Sequence, residues 1–382
     1  MKLRQLKTIA ARRTSLEQKL KLKFSSLSVY PQALADAQTK NCENMIGATS
    51  IPLGIAGPLK VNGSLAKGSF YLPLATTEAA LVASVNRGCK AVTESGGATA
   101  VCQDVGISRG SVFKTSGIKQ SLSLKLWMEK NLPELQKIAK SLSSHLHLLN
   151  IKIKVIANLV FVRFSFDTME AMGMNMATFA ADRLTHFVTD NTGINCLSLA
   201  ANFDNDKKPS YLNFLEGRGR SVIAEVLLPA SLVSSILKTT PAKLYEVSEA
   251  KCHLGSMLSG SLAFNAHYAN VLSALFIALG QDVAHVAEGS VGITSTEIVE
   301  SNLYISVFLP DLPLGTVGGG TGLPSQQEAL RILNLVGSKT GEQSKKLAEI
   351  VGAGVLAGEI SLLAALAEGS LAKAHRLLTQ KK

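Results

Sequence analysis

The sequence lacks any uninterrupted apolar run of about 18 residues, the length a membrane-spanning helix needs, although 46% of its 382 residues are hydrophobic. The nearest candidate, residues 351–367, is glycine-rich and carries Glu359, so it reads as a buried helix and no membrane is expected as a partner. No secretory signal is expected, because the first 24 residues have no apolar core of the signal-peptide kind. Cysteine is sparse. Cys42, Cys89, Cys102, Cys196 and Cys252 are odd in number, widely spaced and never at metal-ligand spacing. That pattern argues against a disulfide framework or a structural zinc and suits free thiols in a reducing cytoplasm. Also missing are a P-loop, a metal-binding triad, a G-x-S-x-G nucleophile elbow and a G-x-G-x-x-G fingerprint after a strand. A Rossmann cofactor domain and a bound metal are therefore not expected.

Acidic residues are scarce only at the two ends. The chain has 39 basic and 28 acidic residues, a net charge of +11, which alone would suit a nucleic-acid surface. Residues 1–24 hold eight Lys and Arg against Glu17, and residues 373–382 add Lys373, Arg376, Lys381 and Lys382 with no acid. The body between is balanced, so no basic groove crosses it and nucleic acid is not an expected partner. With 18% charged residues and ample apolar content, the chain can build a core, and its length suits two to three domains of about 150 residues.

What is present reads as an α+β fold. Residues 1–27 are basic and helix-prone, with Leu3, Leu6, Ile9 and Ala10 at helical spacing; they predict an arm packing on a neighbouring subunit, although an Arg-rich, acid-poor start also suits a transit peptide. Residues 41–58 read as loops with short strands, and residues 76–92 as a long apolar helix with Thr76 and Thr77 as candidate caps. The character changes after Arg109. Residues 111–197 read as strand, helix, strand, helix, with IKIKVIANLVFVRFSF (151–166) a strand or hairpin and residues 172–189 helical. Residues 255–279, 325–337 and 345–373 read as further helices. The simplest organisation is a mainly helical α+β body, residues 28–109 and 199–369, interrupted by a small α+β unit at 110–198.

Several polar residues stand where a core alone would not want them. Glu78 in PLATTEAALVAS is either a buried acid with a raised pKa, suited to proton donation, or an exposed helix-start glutamate. The Asp206-Lys207-Lys208-Pro209 turn either is solvated or presents ammonium groups to a carboxylate and a developing oxyanion. Asp282 in GQDVAHV is a cap or a buried charge wanting a cation. EAMGMNM (170–176) suits core filling or a phosphate at a helix start, and GTVGGGTGLP (315–324) lets backbone approach a ligand. His375 lies in the basic tail, either solvated or catalytic.

Taken in order, ENMIGATSIPLGIAGP, PLATTEAALVAS, VNRGC, EAMGMNM, NDKKP, NFLEGRGRSV, FNAHYAN, GQDVAHV and GTVGGGTGLPSQQ resemble the 3-hydroxy-3-methylglutaryl-coenzyme A reductase family, across residues 28–376. The methionine-rich word and the DKKP loop look like the class of eukaryotes and archaea. The resemblance implies reduction of the thioester to mevalonate and coenzyme A with two NADPH, without a preceding membrane anchor. It implies Glu78, Lys207, Asp282 and His375 as the catalytic four. Lys207 would stabilise the oxyanion, His375 would protonate the departing thiolate, Glu78 would protonate the aldehyde oxygen, and Asp282 would hydrogen-bond both Lys207 and Glu78. By the same matching, Arg109, Asp206, Lys208, Lys251 and Asn270 would hold the acyl moiety, and Ser84, Asn86, Arg87 and Lys90 would lie near coenzyme A. Glu170, Met172, Gly173, Met174 and Asn175, with Gly318, Gly319 and Gly320, would form the nicotinamide-cofactor site.

The resemblance further implies a ferredoxin-like small domain at 110–198, a mobile C-terminal flap at 370–382, and a homodimer or homotetramer with active sites between subunits. Three positions depart from the family pattern: Glu170 replaces Asp, Ala200 replaces Ser and Ala79 replaces Gly. SLSSHLHLL also lacks an Arg for a 2′-phosphate, so Ser144 or His145 would have to serve and NADH stays open beside NADPH. Two alternatives stand beside biosynthetic reduction: a non-catalytic acyl-coenzyme A sensor, and the same fold running NAD-dependent mevalonate oxidation.

Overall fold

The computed structural model describes residues 3–335 and 340–369. Helix α1 (Ile9–Leu20) and the short α2 (Ala37–Lys40) precede the antiparallel hairpin β1 (Leu53–Asn62) and β2 (Lys67–Ala75). Then follow α3 (Leu81–Glu94), β3 (Thr99–Lys114), α4 (Ile118–Lys130), α5 (Leu132–Leu142), β4 (His147–Ile156), β5 (Leu159–Asp167), α6 (Met174–Thr192) and β6 (Cys196–Ser198). The chain continues through α7 (Tyr211–Glu216), β7 (Arg218–Leu228), α8 (Ala230–Leu237), α9 (Pro241–Ser248), α10 (Ser256–Ser259) and α11 (Tyr268–Leu279). It closes with α12 (Val286–Gly289), β8 (Ile293–Val299), β9 (Asn302–Leu312), α13 (Pro324–Ile332) and α14 (Glu342–Glu368).

One strand joins two cores. The larger sheet runs β4-β5-β3-β7-β9-β8, with β6 also on β3 and every pairing antiparallel. The first half of β3 pairs with β7, from Thr99↔Glu225 to Gly106↔Gly219, and its second half pairs with β5, from Ile107↔Phe166 to Lys114↔Leu159. Beyond that switch, Val160, Val162, Phe164 and Phe166 alternate into a core with Leu124 and Met128 of α4 and Leu184 of α6. Before it, β1, β2, α3, α11 and β7 pack around α14 in a separate core that includes Leu72, Val85, Leu275 and Leu356. The structure thus has the mixed α+β composition read from the sequence.

By length and apolarity α14 could cross a membrane, but most of it is buried inside the fold. Two fully buried glutamates on it tie distant loops. Glu349 accepts the Leu65 and Ala66 N–H groups at 2.9 and 2.7 Å and the Ser64 hydroxyl, pinning the β1–β2 turn. Glu359 accepts the Ala266 and His267 N–H groups at 2.8 and 2.7 Å and the Thr294 hydroxyl at 2.6 Å. These carboxylates fill the role of caps, satisfying N–H groups that buried turns and helix starts leave open.

Two sequence expectations need correction. The helix expected over 76–92 starts only at Leu81: the Thr76 hydroxyl accepts the Glu78 N–H at 2.9 Å and Ala80 sits at φ +70°, so a local turn replaces its first residues. The stretch 255–279 is not one helix. A π-helical turn (Glu249–Gly255) and α10 stop at Gly260, at φ +68°, and α11 begins just after Ala266 and His267, whose N–H groups Glu359 takes. Within the single chain the N-terminal arm is tied to the loop that follows it. Buried Arg12 donates to Met45 O, Leu6 O and Gln38 Oε1 at 2.7–2.8 Å, beside a small cluster of Ile9, Ala37 and Met45.

Candidate active site

The loop between β6 and α7 presents Lys207. Asn205 and Lys207 take left-handed conformations, at φ +54° and +58°, which side chains with a Cβ adopt only at a cost. Asn213 holds this loop from α7, donating to Asp204 O at 3.2 Å, and Arg109 of β3 pairs with the buried Asp204 carboxylate at 3.5 Å. The result is a Lys207 Nζ held 2.7 Å from Asp282 Oδ2. The other oxygen, Oδ1, accepts the Ala284 N–H at 3.0 Å, so Asp282 caps the turn that carries it. Burial pushes the Asp282 carboxyl up, but the Lys207 hydrogen bond, the Ala284 N–H and the charges of His285 and Lys207 outweigh it and leave it below its ordinary value. Lys208 is exposed and donates to Asp206 O at 3.0 Å.

Beneath this pair lies a buried ionic cluster. Arg218, fully buried, donates to both Glu288 oxygens at 2.8 and 3.1 Å, to Asp206 Oδ1 at 2.9 Å and to the Ser108 hydroxyl at 3.2 Å. The same guanidinium lies 3.0 Å from Met174 Sδ, at the first residue of α6. Burial alone would lower its pKa, yet the carboxylates of Glu288, Asp311, Asp206 and Asp204 outweigh it and raise it. One ligand atom from each of Asp206, His285 and Glu288 lies within 4.8 Å of the others. The guanidinium of Arg218, bonded to two of these residues, is the cation among them.

Glu78 stands elsewhere. It is exposed, as one of the two sequence readings had it, but in a non-helical turn rather than at a helix start. Asn270 Nδ2 donates to its Oε2 at 2.7 Å, at the edge of a cleft of about 360 Å³ lined by Thr76, Thr77, Ser273 and Ile277. Asn270 lies in the first turn of α11 and Asp282 follows its end, so about 14 Å of helix axis, from Asn270 to Leu279, separates the two pairs. Asp282 therefore reaches Lys207 but not Glu78 within one chain.

The cofactor segments meet. Thr316 N–H donates to Glu170 O at 2.8 Å, and Ala171 bridges Val317. Gln281, beside Asp282, clasps the backbone of Gly315 with two hydrogen bonds of 2.9 Å. Gly318 and Gly319 face open space, whereas a Cβ on Gly280 would meet Gly320 O at 2.3 Å, so Gly320 serves packing. Gly173, at φ +89°, starts α6 with no side chain capping its N-terminus, leaving Met174 and Asn175 at an open helix start. Met172 packs against the smaller core. The Glu170 carboxylate is occupied: it accepts the Thr316 hydroxyl at 3.0 Å and the Ser344 N–H at 2.8 Å. Ser144 and His145 lie exposed in the turn before β4, at the end where His147 pairs with Asp167 and leads into the 168–173 loop.

The four α3 residues expected near coenzyme A are in part structural ties. Ser84 bonds the Ser361 hydroxyl at 3.0 Å, Arg87 donates to Ser361 O at 2.7 Å, and Asn86 accepts the Gly57 N–H at 2.9 Å. Lys90 is exposed beside Glu94. Lys251 is exposed on the π-helical turn, and among the described residues nothing joins it to either pair. His375 and the flap at 370–382 lie outside the described residues. Ala200 sits in the loop whose Ser198 hydroxyl accepts its N–H at 3.3 Å.

Sequence reasoning missed Arg218, His285, Glu288 and Gln281. A signal was available: Asp282, His285 and Glu288 recur at three-residue spacing, on one face of a helical turn.

Residues 8–380 match the family described as hydroxymethylglutaryl-coenzyme A reductase. A 3-hydroxy-3-methylglutaryl-coenzyme A reductase of Methanocaldococcus jannaschii is 46% identical over 373 residues, covering 96% of this chain and 91% of that one. One of Methanothermobacter thermautotrophicus is 45% identical over 368 residues, covering 96% and 92%. Among solved structures, a class II 3-hydroxy-3-methylglutaryl-CoA reductase from Streptococcus pneumoniae bound to NADPH is similar in fold, with a TM-score of 0.71 at 19% identity, covering 93% of this chain and 92% of that one. On the extent and identity of these matches, the chain belongs to the hydroxymethylglutaryl-coenzyme A reductase family.

Proposed function

We propose that the chain reduces 3-hydroxy-3-methylglutaryl-coenzyme A to mevalonate and coenzyme A, using two NADPH, at a site organised around Lys207 and Asp282. The observation that carries this reading is the 2.7 Å pair itself, an ammonium fixed on a conformationally costly loop by a carboxylate whose second oxygen is already engaged. Such a group is suited to donate to a carbonyl oxygen as negative charge develops on it, a contact whose loss typically costs about 10²–10³ in rate. Asp282 keeps Lys207 cationic and aimed. Glu78 protonates the aldehyde oxygen in the second half of the reaction, and His375 protonates the departing thiolate. Arg109, Lys208, Lys251 and Asn270, with Asp206, hold the acyl moiety, and the α3 face with Ser84, Asn86, Arg87 and Lys90 takes coenzyme A.

The open backbone at Gly318 and Gly319, beside the uncapped start of α6, fits a phosphate-bearing nicotinamide cofactor. When bound, NADPH supplies hydride. Met172, Gly173, Met174 and Asn175 line that position, and Glu170 shapes it from behind. We assign cofactor binding to residues 110–198 and substrate binding to 28–109 and 199–369. About 14 Å of α11 lies between Asn270, the partner of Glu78, and the helix end before Asp282, which favours a homo-oligomer in which Glu78 and Asn270 of one copy complete the Lys207–Asp282 pair of another. Free thiols suit a cytoplasmic enzyme.

The deciding assay follows absorbance of NADPH and, separately, NADH with the thioester. Two NADPH oxidised per coenzyme A released is the expected result. A one-to-one ratio with aldehyde as the final product would refute the reading.

A further inference from the structure

His285 has no place in the chemistry above, yet its setting is unusual. The ring is fully buried, with Nδ1 hydrogen-bonded to the Glu288 carboxylate. Among the described residues its Nε2 has no hydrogen-bond partner, and it stands 3.9 Å from Asp282 Oδ2. A neutral imidazole donates from one nitrogen only. With Nδ1–H given to Glu288, it would turn a lone pair toward Asp282. An imidazolium offers a proton to each side.

The surrounding charges point the same way. Asp282 and Glu288 face the ring from its own segment, Arg218 reaches Glu288 from β7, and Lys207 and Asp206 come from the loop before α7. Around Arg218 also lie Asp311 of β9, its carboxyl pushed well above the ordinary range by burial and Glu288 against the pull of Arg218, buried Asp204 paired with Arg109, and Arg163 of β5. Two carboxylates flank the ring itself, Glu288 at Nδ1 and Asp282 at Nε2. A protonated His285 places its charge between them, where an uncompensated charge is costly.

We propose that His285 is a positioning residue for the reduction: held as an imidazolium by Glu288, it keeps Asp282 ionised and directed at Lys207. The proposal rests on the assignment of Lys207 and Asp282 to the reaction. The test is kcat and KM from pH 3 to 8 for the parent enzyme and His285→Gln, whose amide fills the space without carrying charge. The acid limb of kcat is expected to move up by about one pH unit, about a tenfold lower kcat on that limb, with KM changed less than about twofold. An unmoved limb overturns the proposal, including the case of a uniform loss at every pH, which marks a purely structural part. If His285→Gln does not fold, ring-nitrogen NMR of the ¹⁵N-histidine-labelled parent decides: two protonated nitrogens on His285 at pH 7 are expected, and one overturns the idea. Asp282→Asn separates the two levels. Full activity in that variant refutes the role of Asp282 itself, whereas loss of activity there with an unmoved His285→Gln limb refutes only that of His285.

Discussion

Lys207 Nζ stands 2.7 Å from Asp282 Oδ2, and Lys207 occupies the left-handed region at φ +58°. The pairing therefore costs backbone strain of about 1–2 kcal/mol. Lys207→Ala should remove the oxyanion contact and lower kcat by about 10²–10³, with KM nearly unchanged. Steady-state kinetics with saturating cofactor measure it; a loss confined to KM would mean that Lys207 only binds.

Glu78 and Lys207 should complement in trans. Glu78→Ala and Lys207→Ala homo-oligomers are each expected to be inactive. Mixed after subunit exchange, half the dimers are hybrids with one intact site of two, so about a quarter of the parent activity should return. No recovery in verified hybrids would place both residues in a site built from one chain.

The Arg218–Glu288 pair should govern stability. Arg218→Ala leaves Glu288 charged and buried, and breaking such a pair typically costs about 3–5 kcal/mol. Replacing both partners with methionine should recover much of that loss. Denaturant melts of the two variants compare them directly, and equal destabilisation in both would contradict the account.

Asp282 carries a pH signature. Its folded pKa lies below the ordinary value because Lys207, the Ala284 N–H and His285 outweigh burial. A depressed carboxylate contributes stability above its unfolded pKa, about 3.9, and that contribution is lost as pH falls through the lower folded value. The difference in Tm between the parent and Asp282→Asn should thus be present at pH 6 and shrink below pH 4. A difference that grows on acidification would reverse the sign assigned here.

Much of this protein was legible in order along the chain. Alternation in residues 151–166 marked β4 and β5, because a strand with one face in a core must repeat every two residues. The buried reading of the late apolar segment followed from Glu359, which the fold satisfies with the Ala266 and His267 N–H groups just before α11. Local signals failed where a side chain competed for its own backbone: Thr76 binds the Glu78 N–H and delays α3, leaving Glu78 exposed.

The sequence by itself determined the element types, the family and the candidate chemistry, since each depends on residue identity and short-range spacing. Only the tertiary structure decided which candidates meet. Lys207 and Asp282 are 2.7 Å apart because a strained loop and a helix end converge. Glu78 and Asp282, both polar residues in apolar words, are held apart by α11, whose backbone hydrogen bonds fix its length. The buried balance of Arg218, Glu288 and His285 was equally invisible, because burial is a property of three-dimensional packing and charge is costly only where water is excluded.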